Sequence, residues 1–220
     1  MKARGAPART VVVRLPERAH ARRIAEARQN RVTAAPVNHL TDNEQARFEL
    51  GLLVALTLDA PEASRGLDLL VNDRYIHPEG AEVFAALLYA TGRRDAAEFW
   101  WRFAAGSGCR TSAYCLHLHH LHLGEEGDAD YWRAWAAELA HRRARPARPR
   151  PARSARPLLS DGARRDILAR CHHGLAPALP TAVEAVINQL PVAEDNPDFG
   201  EIPQPHPRLL RGALRPDGER

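Results

Sequence analysis

Residues 50–70, LGLLVALTLDAPEASRGLDLL, and residues 84–104, FAALLYATGRRDAAEFWWRFA, carry the reading of the fold. At an offset of 34 residues, Leu50, Gly51, Val54, Ala63, Leu67 and Leu70 fall on Phe84, Ala85, Leu88, Ala97, Trp101 and Ala104. Large residues mostly meet large ones, and small meet small. Within each stretch apolar residues recur every three to four positions, the spacing of one helix face. Each stretch therefore reads as two helices joined by a turn. Small residues at Gly51/Ala85 and Ala63/Ala97 are expected to let the helices of a pair approach closely, while large ones fill the space to the next pair.

Working outward, helices are predicted over 42–58, 61–73, 78–91, 95–105, 112–123 and 128–143. Asp42, Asp95, Ser112 and Asp128 stand at cap positions, and Pro61 and Pro78 at first-turn positions. The short connections make neighbouring helices antiparallel. Six helices then form three consecutive hairpins. Helix–turn–helix units with this period and these residue sizes resemble the tetratricopeptide-repeat (TPR) family over about residues 44–143. The third pair departs from the pattern, placing Tyr131 or Trp132 where the family has Ala. The resemblance implies an all-α fold, a short TPR-like solenoid of three antiparallel helical hairpins. A basic N-terminal helix (16–32) precedes it and a Pro-rich C-terminal extension follows.

Charge divides the chain in the same way. Residues 1–39, a basic N-terminal arm, have nine basic and two acidic groups. The repeat domain, 40–143, is acidic; up to residue 141 it has eight basic and sixteen acidic groups, a net charge of −8. Residues 142–157, RRARPARPRPARSARP, contain seven Arg and four Pro, so 144–157 is an extended, solvated linker. Residues 158–220 form a small helical segment (helices at 161–173, stopped by Gly174, and at 181–190) and an irregular Pro-rich tail from 191. Those helices are expected to fold back as a cap on the repeats.

Composition excludes a collagen, a disulfide scaffold and a membrane protein. Three cysteines without CxxC spacing fit reduced thiols in a cytoplasmic protein. The longest apolar run, Leu50 to Leu58, is about half a bilayer span, and Val11 to Val13 is too short for a signal peptide. Thirty Arg against one Lys is the usage of a GC-rich, bacterial genome. No phosphate-binding loop, dinucleotide fingerprint, nucleophile elbow or HExxH motif occurs, so no enzyme activity and no cofactor are expected.

One constellation could carry chemistry. Residues 115–122, CLHLHHLH, place Cys115, His119 and His122 within about a 60° arc of one helix. Thiolate and imidazole on one face are zinc ligands, which gives a first alternative, a zinc enzyme or metal sensor. Leucines on both sides of the same helix favour a buried helix with histidines on its flanks and no metal. The aromatics Trp100, Trp101, Phe103, Tyr131, Trp132 and Trp135 read as core between repeats. Trp100 and Trp101 cannot both face one neighbour, so one of them should be partly exposed or contact another element.

The expected function is a non-enzymatic adaptor or regulatory protein of a bacterial cytoplasm that binds other proteins, for instance in transcriptional or developmental control. In TPR proteins the first helix of each hairpin lines the concave face. That resemblance selects Gln45, Phe48, Glu79, Glu82, Tyr89, His117 and His120 as partner contacts. Glu79 and Glu82 in an acidic surround favour a basic protein segment. Nucleic acid held by the basic arms is a second alternative and is not favoured, because no aromatics are interleaved within 142–157. No membrane partner is expected.

Overall fold

A helix that is apolar on every side must be covered on every side. Residues 78–90 come nearest to that character, and together with residues 42–59 they form the centre of the fold. The computed structural model describes residues 40–72, 76–142, 157–192 and 198–213, with the backbone alone for 211–213. The chain divides between His39 and Leu40, and all described residues belong to the second unit. The basic N-terminal arm, its helix at 16–32, and the Arg/Pro linker except Pro157 lie outside the described residues.

Among the described residues there are nine α-helices: α1 (Asp42–Asp59), α2 (Ala63–Asn72), α3 (Pro78–Ala90), α4 (Arg94–Gly106), α5 (Arg110–Leu123), α6 (Glu126–Arg142), α7 (Asp161–His172), α8 (Thr181–Asn188) and α9 (Arg208–Ala213). The β-structure among them is one isolated bridge, Val192 to Pro203. The protein is all-α in this region, as the sequence predicts, and the ends of α1 to α8 fall within about three residues of expectation, while α9 corrects the expectation of an irregular tail from 191. Caps are set by neighbouring residues. Thr41, not Asp42, caps α1, with Glu44 completing a capping box. Ser160, not Asp161, caps α7 by accepting from the Ala163 amide. Pro78 opens α3 as expected.

The central helices are α1 and α3. From Val83 to Ala90 every residue of α3 is buried, along with Gly80 and Ala81. α1 buries Ala46, Leu50, Gly51, Val54, Ala55 and Leu58. Consecutive packing runs α2 on α3, α3 on α4, α4 on α5 and α5 on α6. Trp101 and Ala97 of α4 are almost fully buried, and Trp101 lies 5.4 Å from the Tyr89 ring of α3. Burying an aromatic of this size removes about 150–250 Å² from water.

α1 departs from the hairpin pattern. It touches its sequence neighbour α2 only slightly and packs on α5, α3 and α7. α1 therefore packs on the first helices of both other pairs, α3 and α5, and hardly on its own hairpin partner. Gly51 shows the reason locally. A Cβ there would meet Pro177 at 3.3 Å and Cys171 Sγ at 3.9 Å. Its small size admits the C-terminal segment, not α2, which corrects the role expected from the repeat. The close approach within the array is instead between α2 and α3, at Gly66 and Gly80.

The C-terminal segment folds back as expected. α7 lies on α1, joined at its rim by the Arg164–Asp59 ion pair. α9 packs on α8 and reaches α2. Trp100 donates from Nε1 to the Pro203 carbonyl at 3.2 Å, and Phe99 meets Phe199 edge-on at 5.6 Å. Trp100 is thus the tryptophan that contacts another element.

Candidate functional site

The seven residues selected for a concave contact surface do not form one. Tyr89, His117 and His120 are buried: Tyr89 lies against Trp101 of α4, His117 against Ala129 of α6, and His120 between Glu98 and Glu125. Phe48 and Glu82 are half-buried, while Gln45 and Glu79 are exposed. Gln45 donates to Glu49 one turn along at 2.7 Å. Glu82 accepts from the Cys109 thiol at 3.0 Å. His117 donates from Nδ1 to the Ala129 carbonyl at 2.8 Å, tying α5 to α6.

The proposed metal ligands are not brought together either. Among the described residues, the one group of three His, Cys, Asp or Glu side chains whose ligand atoms lie within 4.8 Å of one another is His120, Glu125 and Asp128. Cys115, His119 and His122 do not form such a group. Cys115 is buried near Glu82 and Cys109, and burial, then the charge of Glu82, pushes its thiol well above its ordinary range. Burial and Glu82 push Cys109 up to about 12. A thiol held in this way resists forming the thiolate that a metal or a nucleophilic reaction needs. His122 stands apart against the Asn43 backbone; burial lowers its pKa below the ordinary 6.5.

The histidine helix does gather charge, around Glu98 of α4. Its carboxylate lies 3.5 Å from His119 Nε2, 3.6 Å from His120 Nε2 and 2.6 Å from the Arg102 guanidinium. Burial alone would raise the Glu98 pKa; contact with His119 and the charge of Arg102 outweigh it and hold the carboxyl below its ordinary range. His120 turns its other nitrogen, Nδ1, to Glu125 Oε2 at 2.6 Å. A chain of groups thus runs from half-buried Glu98 through buried His120 to exposed Glu125. Three nitrogens in this helix, His119 Nδ1, His120 Nε2 and His122 Nδ1, are buried with no hydrogen-bond partner. Comparison with family models, curated proteins and solved structures found no match.

The local backbone explains the convergence. Gly124, at φ 79°, ends α5 in the left-handed conformation that glycine adopts without strain. The chain reverses there, and the Glu125 amide donates to the His120 carbonyl at 2.9 Å. That bond sets Glu125 beside the ring five residues earlier. Asp128 follows three residues on, on the same side of the first turn of α6. Sequence reading missed Glu98, Glu125 and Asp128. A signal existed for two of them in His120, Gly124, Glu125 and Asp128, a histidine and two carboxylates across a glycine turn. Glu98 has none, since only the packing of α4 on α5 brings it near.

The outer face of α6 is a second feature. This helix of 17 residues buries only Ala129, Ala136 and Leu139. Tyr131 is 60% exposed, Trp132 and Trp135 pack partly buried against the core with an edge left open, and Ala134 and Ala137 are exposed. Trp135 is anchored by its Nε1 to the Ala105 carbonyl at 3.2 Å. No helix among the described residues except α5 packs substantially on α6. Among the described residues, no helix is long and apolar enough to cross a membrane.

Proposed function

We propose that this protein is a non-enzymatic, TPR-like binding module of a bacterial cytoplasm that holds a basic segment of another protein against the outer face of α6. The observation that carries the reading is the exposed Tyr131 of the last array helix, flanked by the partly buried Trp132 and Trp135. Aromatic side chains with one face fixed and one free are the usual anchors of protein contacts. Charge supports a basic occupant. Glu126, Asp128, Asp130 and Glu138 outnumber Arg133 and Arg142 along α6, and residues 40–141 carry a net charge of −8. A regulatory or assembly role, as in transcriptional or developmental control, is the setting this reading fits. The earlier concave-face assignment has little support, since three of its seven residues are buried. The nucleic-acid alternative rests on arms outside the described residues.

The experiment is capture of partners from a bacterial lysate by wild type and by Tyr131→Ala, at low and high salt, with direct binding of any captured protein measured afterwards. A basic partner that Tyr131→Ala binds about 2 kcal/mol more weakly, or some thirty-fold, supports the reading. Equal binding by the two proteins rejects the α6 face as the site.

A further inference from the structure

We infer that the turn joining α5 to α6 binds a first-row divalent metal ion of the zinc class, with His120 Nδ1 and the carboxylates of Glu125 and Asp128 as ligands and Glu98 as the outer partner of His120. The inference is independent of the partner-binding reading.

His120 is 3% exposed and has a carboxylate at each ring nitrogen. Nδ1 lies 2.6 Å from Glu125, and Nε2 lies 3.6 Å from Glu98. A neutral imidazole has one N–H and one lone pair. Whichever nitrogen is bare therefore faces a carboxylate oxygen, acceptor against acceptor. With the proton on Nδ1, the bare nitrogen is Nε2, which has no hydrogen-bond partner. A cation on the Nδ1 side resolves the conflict. The Nδ1 lone pair goes to the ion, the ring proton sits on Nε2, and it points at Glu98. This is the carboxylate–histidine–metal arrangement that fixes the tautomer of ligating histidines.

The donor set identifies the ion. Ligand atoms at zinc distances in a tetrahedron lie roughly 3.4 Å apart. The three here lie within 4.8 Å of one another; Glu125, now 2.6 Å from His120 Nδ1, would turn outward to admit the ion, and exposed Asp128 would turn toward it. One imidazole nitrogen with two carboxylates suits zinc, manganese, iron or cobalt better than magnesium or calcium, which take all-oxygen sites. Two carboxylates also balance the charge of the ion. The positive end of α6 opposes a cation, so the site binds modestly. Three protein ligands leave a coordination position open to water.

The test uses the full chain, free of any tag and stripped of metal. Zinc is titrated calorimetrically near neutral pH, and cobalt is followed by its visible absorption. The expected result is one ion per chain. Glu125→Gln and Asp128→Asn, both exposed and both with unchanged far-ultraviolet circular dichroism, each weaken binding by about ten-fold or more. Glu98→Gln, which touches no ligand position, weakens it by about ten-fold through His120. No binding by the wild type overturns the inference. One-equivalent binding that survives in the Glu125→Gln, Asp128→Asn double variant also overturns it and places the ion on histidines elsewhere, such as His172 and His173.

Discussion

Gly80 of α3 lies directly against Gly66 of α2: a Cβ on Gly80 would stand 2.3 Å from the Gly66 carbonyl oxygen and 2.6 Å from Leu70 Cβ. Replacing a helical glycine by alanine ordinarily stabilises the helix, by up to about 1 kcal/mol. Here the added methyl meets backbone, which cannot rotate away. Gly80→Ala should therefore lower stability by roughly 1–3 kcal/mol, read as a lower urea midpoint. Gly66→Ala, whose Cβ would come only to 3.3 Å of Glu79, should cost less. A midpoint for Gly80→Ala at or above wild type would disprove the crossing.

Ala97 on α4 is completely buried and faces a neighbour with no slack. Ala97→Leu should overpack this contact and cost roughly 1–3 kcal/mol. An unchanged denaturation midpoint would remove the α3–α4 packing described above.

The Trp100 indole holds the C-terminal segment through the Pro203 carbonyl. Trp100→Phe keeps most of the apolar contact and removes the donor, leaving that carbonyl without its partner. The expected cost is about 1–3 kcal/mol. Hydrogen exchange should quicken around residues 202–209 more than in α5 or α6. Uniform quickening throughout the chain would count against a local strap.

Two groups make stability fall with acid. His122 has a folded pKa below its ordinary 6.5 through burial, so the unfolded chain takes up its proton first and stability starts to drop as pH falls through 6.5. Glu98 is held below its ordinary 4.5, so its contribution is complete above that value and is lost as pH falls through the folded pKa. Glu98→Gln should be less stable than wild type near pH 7 by roughly 1–3 kcal/mol. The gap should narrow steadily below about pH 4.5. A gap that stays constant to pH 2 would show that Glu98 acts through shape and not charge.

Cys109, Cys115 and Cys171 are all buried, and burial raises the pKa of each. In the native protein all three should resist alkylation at mildly alkaline pH and react together once urea unfolds the chain. A single thiol that reacts rapidly in the native state would contradict this packing.

Helix positions are legible in the sequence because their signals are local: apolar periodicity, Pro78 at a first turn, Gly174 just past a helix end. Which helices touch is less so. The 34-residue match pairs Gly51 with Ala85 by size, yet Gly51 faces Pro177, far along the chain. Size tells that a neighbour is close but not which neighbour. The histidine run was read on one helix alone, which grouped Cys115, His119 and His122 by angle. Their surroundings come from α3, α4 and α1, which bring Glu82 toward Cys115, Glu98 toward His119 and Asn43 toward His122. Trp132 and Trp135 pack partly buried against the core, as their sequence pattern predicts, while Tyr131, expected there too, is exposed because the repeat does not continue beyond it. The described chain places no further helix there.

The contact of Cys171 with the Gly51 carbonyl spans 120 positions of sequence, and its consequence lies in the order of synthesis. At about 5–20 residues per second a ribosome needs roughly 6–24 s to travel that distance. During that interval α1 is already made, and the segment that covers its Gly51 side does not yet exist. A linear repeat array completes each unit as it emerges. This chain cannot, because its earliest described helix is finished by one of its latest. Nascent chains arrested before residue 171 should therefore expose the LGLLVALTL stretch to chaperones and proteases, and release from that exposure should come in one late step.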